Sequence, residues 1–259
     1  MPASIFRKYF PRATSYDPAW VQQHSMGENV LFNLESLTEK MQLKPGMRVL
    51  DLGCGKAISS VFLATEFKVQ VWAVDPAVPA TENLTRITEA KVSDKVFPLE
   101  ADARALPFAE EYFDAVIVVD SYTYFGTDEK YLPYICKFLK PGGTIAIADV
   151  CFTHEIETPA EVPAFLRRDY ALYWYYIHTL NWWQKLWQKT RLVEITCAEE
   201  LPGKALIKQE YLRYFKASGK KDAFARALSK DKKELISFFR LIARRTSQPA
   251  YLQDYKKES

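Results

Sequence analysis

The chain has 259 residues, 48% hydrophobic and 26% charged, so it can bury a sizeable core, which excludes disulfide-stapled mini-proteins and wholesale disorder. Its 35 Lys and Arg against 32 Asp and Glu leave a net charge of +3, too balanced to mark a nucleic-acid or membrane-surface protein by charge alone. Four scattered cysteines, Cys54, Cys136, Cys151 and Cys197, form no C-x-x-C pair, which points to reduced thiols and to no metal site.

In chain order, residues 1–44 read as a helical lead-in: Asp17-Pro18 opens a helix over 17–43, with Val30, Leu31, Leu34 and Leu37 near helical spacing. Residues 45–150 alternate short apolar runs with helix-like stretches. The runs Met47–Leu52, Val69–Val74, Lys95–Glu100, Phe113–Val119 and Gly143–Val150 predict parallel strands linked by helices, an α/β class of fold. Right-handed crossovers then bring the carboxyl ends of the strands to one edge, where open sheets bind ligands. Residues 151–191 crowd Tyr, Trp and Phe into a helical-looking stretch and read as an inserted cap. Residues 192–248 hold two late strands, Leu192–Glu199 and Leu235–Arg244, around a Lys-rich helical segment, and 249–259 read as a tail.

The chemistry concentrates at strand ends. Val49-Leu50-Asp51-Leu52-Gly53-Cys54-Gly55 is a strand, an acidic residue and a Gly-x-Gly turn, with helical residues from Ile58 on. Glycines let backbone approach a ligand closely, and the new helix offers free N–H groups. A dinucleotide fingerprint would place a third glycine where Ile58 stands, and Asp51 beside the turn opposes a phosphate, so a pyrophosphate is disfavoured. Asp75, twenty residues past Gly55, ends the second strand where a carboxylate accepts ribose hydroxyls. Asp102 and Asp120 end the third and fourth.

This combination, with Ala101-Asp102-Ala103, Phe113-Asp114-Ala115-Val116 and Leu139-Lys140-Pro141-Gly142-Gly143, resembles the class I S-adenosylmethionine-dependent methyltransferases, in their type 11-like small-molecule branch, over residues 45–150. The resemblance implies a Rossmann-like seven-stranded, mostly parallel sheet with helices on both faces, an antiparallel last strand and a helical aromatic-rich cap. It implies S-adenosyl-L-methionine as cofactor and methyl transfer to a small organic acceptor by in-line displacement. Asp51, Gly53, Cys54 and Gly55 would surround the methionine part, with Asp120 and Ser121 beside them; Asp75 and Pro76 would hold the ribose, and Asp102 and Ala103 would face the adenine. Tyr16, Met26 and Asn29 in the lead-in, with Tyr124, Tyr173, Trp174 and Trp182, would line the acceptor pocket. Asp120, Tyr122, Tyr124 or His154 would take a proton where the acceptor must lose one.

Plainer readings stand beside these. Asp102 and Asp120 also suit helix caps, the aromatic cluster suits a core, and Asp114 sits at the edge away from the ligand. His24, His154 and His178 are too scattered for a metal site. Residues 203–233 carry ten Lys or Arg against three Asp or Glu, a solvated face or else an anion-attracting rim. Nucleic-acid methylation is disfavoured because Asp120-Ser121-Tyr122-Thr123 lacks the Pro-Pro-Tyr loop of amino-methylating enzymes. A non-catalytic cofactor-binding protein and an NAD-dependent oxidoreductase complete the alternatives. No apolar run approaches the roughly 20 residues a bilayer needs, and the N-terminus lacks an apolar signal core, so the expected location is cytoplasmic, with no membrane partner.

Overall fold

The computed structural model describes residues 3–27, 29–218 and 222–248. Seven strands, β1 (Arg48–Leu52), β2 (Gln70–Asp75), β3 (Val96–Glu100), β4 (Phe113–Val119), β5 (Leu139–Phe152), β6 (Val193–Glu200) and β7 (Ile236–Arg245), form one sheet. Their order is β3-β2-β1-β4-β5-β7-β6, and only β7 runs antiparallel to its neighbours β5 and β6. The order reverses between β1 and β4, which places a crevice at the carboxyl ends of those two strands. This is the fold class expected from sequence.

Each central strand feeds two cores because side chains alternate across a sheet. Val49, Ala115, Ile117 and Ala146 face one core, covered by α3 (Val30–Thr38) and α4 (Ile58–Phe67), while Leu50, Val116, Val118 and Ile147 face the other. The second core is covered by α6 (Tyr131–Cys136) and α7 (Leu180–Thr190). The remaining helices are α1 (Ala3–Tyr9), α2 (Pro18–His24), α5 (Ala80–Glu89), α8 (Lys204–Ser218) and α9 (Ala223–Lys230). Among the described residues, no helix is long and apolar enough to cross a membrane.

Three expectations are corrected. The lead-in is broken rather than one helix: Asp17 caps α2 by accepting from Ala19 N at 3.0 Å, and Asn29 caps α3 by accepting from Leu31 N at 3.2 Å, so the chain turns between them. Strand β5 starts at Leu139, paired with Phe113, and a register shift follows before Thr144 pairs with Ala115; the left-handed Gly142 (φ +76°) lies within that stretch. The aromatic stretch divides between the two sheet faces, since Trp174 packs into the first core and Trp183 and Trp187 into the second. Asp114 is structural, as expected, accepting from Arg48 N at 2.8 Å and Lys140 Nζ at 2.5 Å. The tail from residue 249 and the Tyr173 side chain lie outside the described residues.

Candidate functional site

The turn after β1 is built on left-handed backbone. Gly53, Gly55 and Ala57 have φ of +76°, +52° and +60°, and the first two are glycine where a side chain would be strained. Gly53 N and Cys54 N donate to Val74 O at 2.8 and 3.1 Å, which binds the turn to the end of β2. A Cβ on Gly53 would lie 2.2 Å from Ser121 Oγ, so the loop after β4 closes directly on the turn. Ser121 Oγ donates in turn to Leu52 O at 3.2 Å.

Two carboxylates stabilise this turn from different sides. Asp75, 7% exposed, accepts from Gly55 N at 2.8 Å through Oδ2, and from Ala77 N at 2.8 Å and Val78 N at 3.1 Å through Oδ1. Asp51, 1% exposed, accepts from Ser59 Oγ at 2.6 Å and Ser60 Oγ at 2.5 Å. Burial pushes its carboxyl up to about 6, against the lowering effect of the two serines. Asp51 therefore fastens the first turn of α4 from beneath. Cys54 is also buried, and burial raises its thiol well above the ordinary range.

The other strand ends differ in what they expose. Asp102 accepts from Arg104 N at 2.8 Å and pairs with the Arg104 guanidinium at 2.6 Å; those hydrogen bonds hold it at about 2. Ala103 is buried, with its carbonyl accepting from Tyr131 Oη at 3.1 Å, and Pro76 is exposed. Asp120, in left-handed conformation (φ +55°), donates its N–H to Ala148 O at 2.9 Å. Over this edge runs the break between α2 and α3. A Cβ on Gly27 would meet Asp120 Oδ2 at 2.5 Å, and one on Gly55 would meet Met26 Sδ at 2.9 Å. Lys56 Nζ donates to Gln23 O at 3.2 Å, tying the lead-in to the turn.

Beside the turn, a cavity of about 1230 Å³ opens at the ends of β4 and β5. Asp120, Tyr124 and Asp149 form its sheet side, and Met26 and Gly27 its lead-in side. Asp149, buried, accepts from Thr123 N at 3.3 Å and Val150 N at 2.8 Å. Trp174 stacks between Phe152 (6.1 Å) and Phe224 (5.6 Å), and Tyr211 and Phe215 of α8 complete the aromatic wall. Asp149, Tyr211, Phe215 and Phe224 escaped the sequence reading. The available signal was Ile207, Tyr211 and Phe215 recurring every fourth residue inside the Lys-rich segment.

Other expected residues fall elsewhere. Tyr16 and Asn29 line a second cavity of about 810 Å³, and Tyr16 Oη donates to Glu66 Oε1 at 3.0 Å. Tyr122 is fully buried against Trp183 (5.4 Å) and Trp187 (5.8 Å), beyond reach of either cavity. Trp182 stacks on His178 at 3.7 Å on the second-core side, and His154 is exposed past the end of β5, outside the cavity lining. His178 Nδ1 lies 3.1 Å from Glu155 Oε2, and His24 Nδ1 lies 2.8 Å from Trp20 O, both structural contacts. Among the described residues, no three His, Cys, Asp or Glu are grouped to hold a metal.

A sheet of this strand order, with a Gly-x-Gly turn after β1 and an Asp ending β2, defines a Rossmann-like protein that is not of the dinucleotide type. Residues 49–143 match the family model of a methyltransferase domain. The chain is 29% identical over 143 residues to Methyltransferase GfsG of Streptomyces halstedii, covering 55% of this chain and 49% of that one. It is 26% identical to 27-O-demethylrifamycin SV methyltransferase of Amycolatopsis mediterranei, over 64% of both chains. The chain thus spans about half to two thirds of the length of these relatives. Among solved structures, the [4+2]-cyclase SpnF shares the fold with a TM-score of 0.70 at 17% identity, covering 94% of this chain and 95% of that one.

Proposed function

We propose that the chain binds S-adenosylmethionine across the Gly53–Gly55 turn and transfers its methyl group to a small organic acceptor in the neighbouring cavity, yielding S-adenosylhomocysteine. The observation that carries this reading is that one loop, Met26-Gly27, touches both the turn and Asp120 on the cavity wall. The polar side chains at the strand ends are carboxylates, Asp75, Asp102 and Asp120, with backbone N–H groups between them. That donor set fits ribose hydroxyls and a cationic amino acid, and repels a pyrophosphate.

Bound S-adenosylmethionine supplies an electrophilic methyl group on a sulfonium. The chain's own work is positional. Asp75 accepts from the ribose hydroxyls, Asp102 and Ala103 border the adenine, and Ser121 and Asp120 border the methionine end. The aromatic wall excludes water and orients the acceptor, which supplies much of the acceleration for a displacement with a good leaving group. Where the acceptor atom is a hydroxyl or amine, Asp120 or Asp149 takes its proton at a carboxylate oxygen, and Tyr124 at the mouth orients it. Of the four proton acceptors expected from sequence, Tyr122 is fully buried and neither it nor His154 lines the cavity, which favours Asp120 and Tyr124.

Calorimetric titration of the purified chain with S-adenosylmethionine, S-adenosylhomocysteine and NAD tests the cofactor; a panel of small acceptors and of RNA, scored by mass spectrometry for S-adenosylhomocysteine release, tests transfer. Binding of both adenosyl ligands and release with a small acceptor are expected. NAD binding would overturn the reading, as would release only with RNA; cofactor binding without any release would favour the non-transferring alternative. We place the reaction in the cytoplasm, on the support of four cysteines that are all free.

A further inference from the structure

Among the described residues, a second cavity adjoins the one beside the transfer site. The first, about 1230 Å³, is already larger than the roughly 300–1,000 Å³ that holds a drug-sized ligand, so a molecule of a few heavy atoms would leave most of it empty. The second, about 810 Å³, lies between the lead-in helices and α8 and borders none of the strand ends, so it cannot hold a reacting atom. Gly27 and Tyr211 line both. The two cavities meet at these two residues.

Tyr211 is held at that boundary. Tyr211 is buried, and its Oη is 3.1 Å from Asp222 Oδ1, which also caps α9 by accepting from Ala225 N at 2.7 Å. The inner surface of the second cavity is mostly apolar: Phe6, Val21, Phe32 and Tyr214 line it. Its charged groups are Glu210, half-buried, and Arg7 and Arg213, both exposed on the solvent side. Burial raises the Glu210 carboxyl, and the nearby Arg213 lowers it.

We propose that the acceptor is an elongated, largely apolar molecule that reacts in the first cavity and extends past Gly27 and Tyr211 into the second, where a hydroxyl or ammonium group donates to Glu210. This rests on the methyltransferase reading and specifies its substrate class. Apolar walls reward length, and a half-buried carboxylate among aromatics favours a donor over an acceptor at the far end. Tyr211 is then a specificity-determining residue.

The test uses the full chain saturated with S-adenosylhomocysteine, titrated with straight-chain 1-alkanols and 1-aminoalkanes of increasing length and followed by tryptophan fluorescence, since Trp174 lines the first cavity. Affinity is expected to rise about fourfold per methylene, corresponding to about 0.8 kcal/mol, through the long members. Phe6→Trp, at a half-exposed position, narrows the second cavity and is expected to weaken the long members while leaving the short ones unchanged. Glu210→Gln is expected to abolish the preference of long amines over long alcohols. A rise that stops at short lengths, or a Phe6→Trp effect equal at all lengths, overturns the inference. S-adenosylmethionine titration of the same samples separates the two claims: retained cofactor binding with no length dependence sinks only this one, whereas lost cofactor binding sinks the methyltransferase reading.

Discussion

Replacing Asp75 tests the site and the fold at once, because its carboxylate has two tasks. Three backbone N–H groups, from Gly55, Ala77 and Val78, donate to it at 2.8–3.1 Å, and the side chain is 7% exposed. Asp75→Ala leaves three donors without a partner. At about 1 kcal/mol each, the low end because water reaches the exposed Pro76-Ala77 side, the loss is about 3 kcal/mol. For a chain of this size that lowers Tm by about 6–12 °C. Losing two charged hydrogen bonds to ribose hydroxyls, at about 1.5 kcal/mol or more each, weakens cofactor binding at least about a hundredfold. Asp75→Asn keeps an oxygen for Ala77 and Val78 but turns an amide toward Gly55 N–H, so it is expected to recover roughly half of the Tm loss. Differential scanning fluorimetry and calorimetry on folded protein read the two effects separately. An unchanged Tm in Asp75→Ala would refute its role as the clasp of the turn; unchanged affinity at a lowered Tm would refute its role toward the cofactor.

Asp51 makes stability depend on pH. Its carboxyl is raised in the folded chain to about 6, so the folded state holds the proton more tightly than the unfolded one; its contribution falls as pH rises from about 4 to about 6 and is flat above, a total of about 3 kcal/mol. Asp51→Asn, whose amide oxygen still accepts from Ser59 and Ser60, should remove that fall from a urea-denaturation series over pH, and an identical pH profile would contradict the assignment. Gly53→Ala combines a φ of +76° with a Cβ 2.2 Å from Ser121 Oγ, and is expected to cost about 2–4 kcal/mol and most cofactor affinity. Adding Ser121→Gly removes the collision but not the backbone strain, so partial recovery is expected, and none would mean the loop after β4 does not close on the turn. Trp174→Ala should destabilise by about 3–5 kcal/mol in denaturant titration while leaving S-adenosylmethionine affinity of the folded fraction unchanged; a matching loss of cofactor affinity would place the aromatic wall in the wrong site.

Local features were legible in the sequence and tertiary ones were not. The strands appeared because buried parallel strands are continuous apolar runs, and β4 was bounded to the residue at Phe113–Val119. The Gly-x-Gly turn was legible because left-handed backbone selects glycine within a few residues. The depth of Asp51 was not legible, because a position beside the turn says nothing of it: two serines eight and nine residues later draw it under the helix. Asp149 was hidden inside an apolar strand, indistinguishable from a residue buried among neighbours. Tyr211, Phe215 and Phe224 were masked by the lysines around them, which dominate the composition of a segment whose inner face is aromatic. Trp182 and Trp183 are adjacent in sequence yet differ in partner, since on a helix neighbouring residues point about 100° apart.

The place of β7 fixes the order in which this protein can be assembled. It pairs with β5 on one side and β6 on the other, so β6 has no partner in the sheet until residues 236–245 have been synthesised. Helices α8 and α9 lie between β6 and β7 and carry Tyr211, Phe215 and Phe224 of the first cavity's aromatic wall. A growing chain can therefore pair β1 through β5 and shape the glycine turn early, while the acceptor chamber waits for the last strand to slot in. Long-range closure of this kind is slow relative to local pairing. On the methyltransferase reading, a ribosome-bound intermediate would hold the cofactor before it could admit an acceptor.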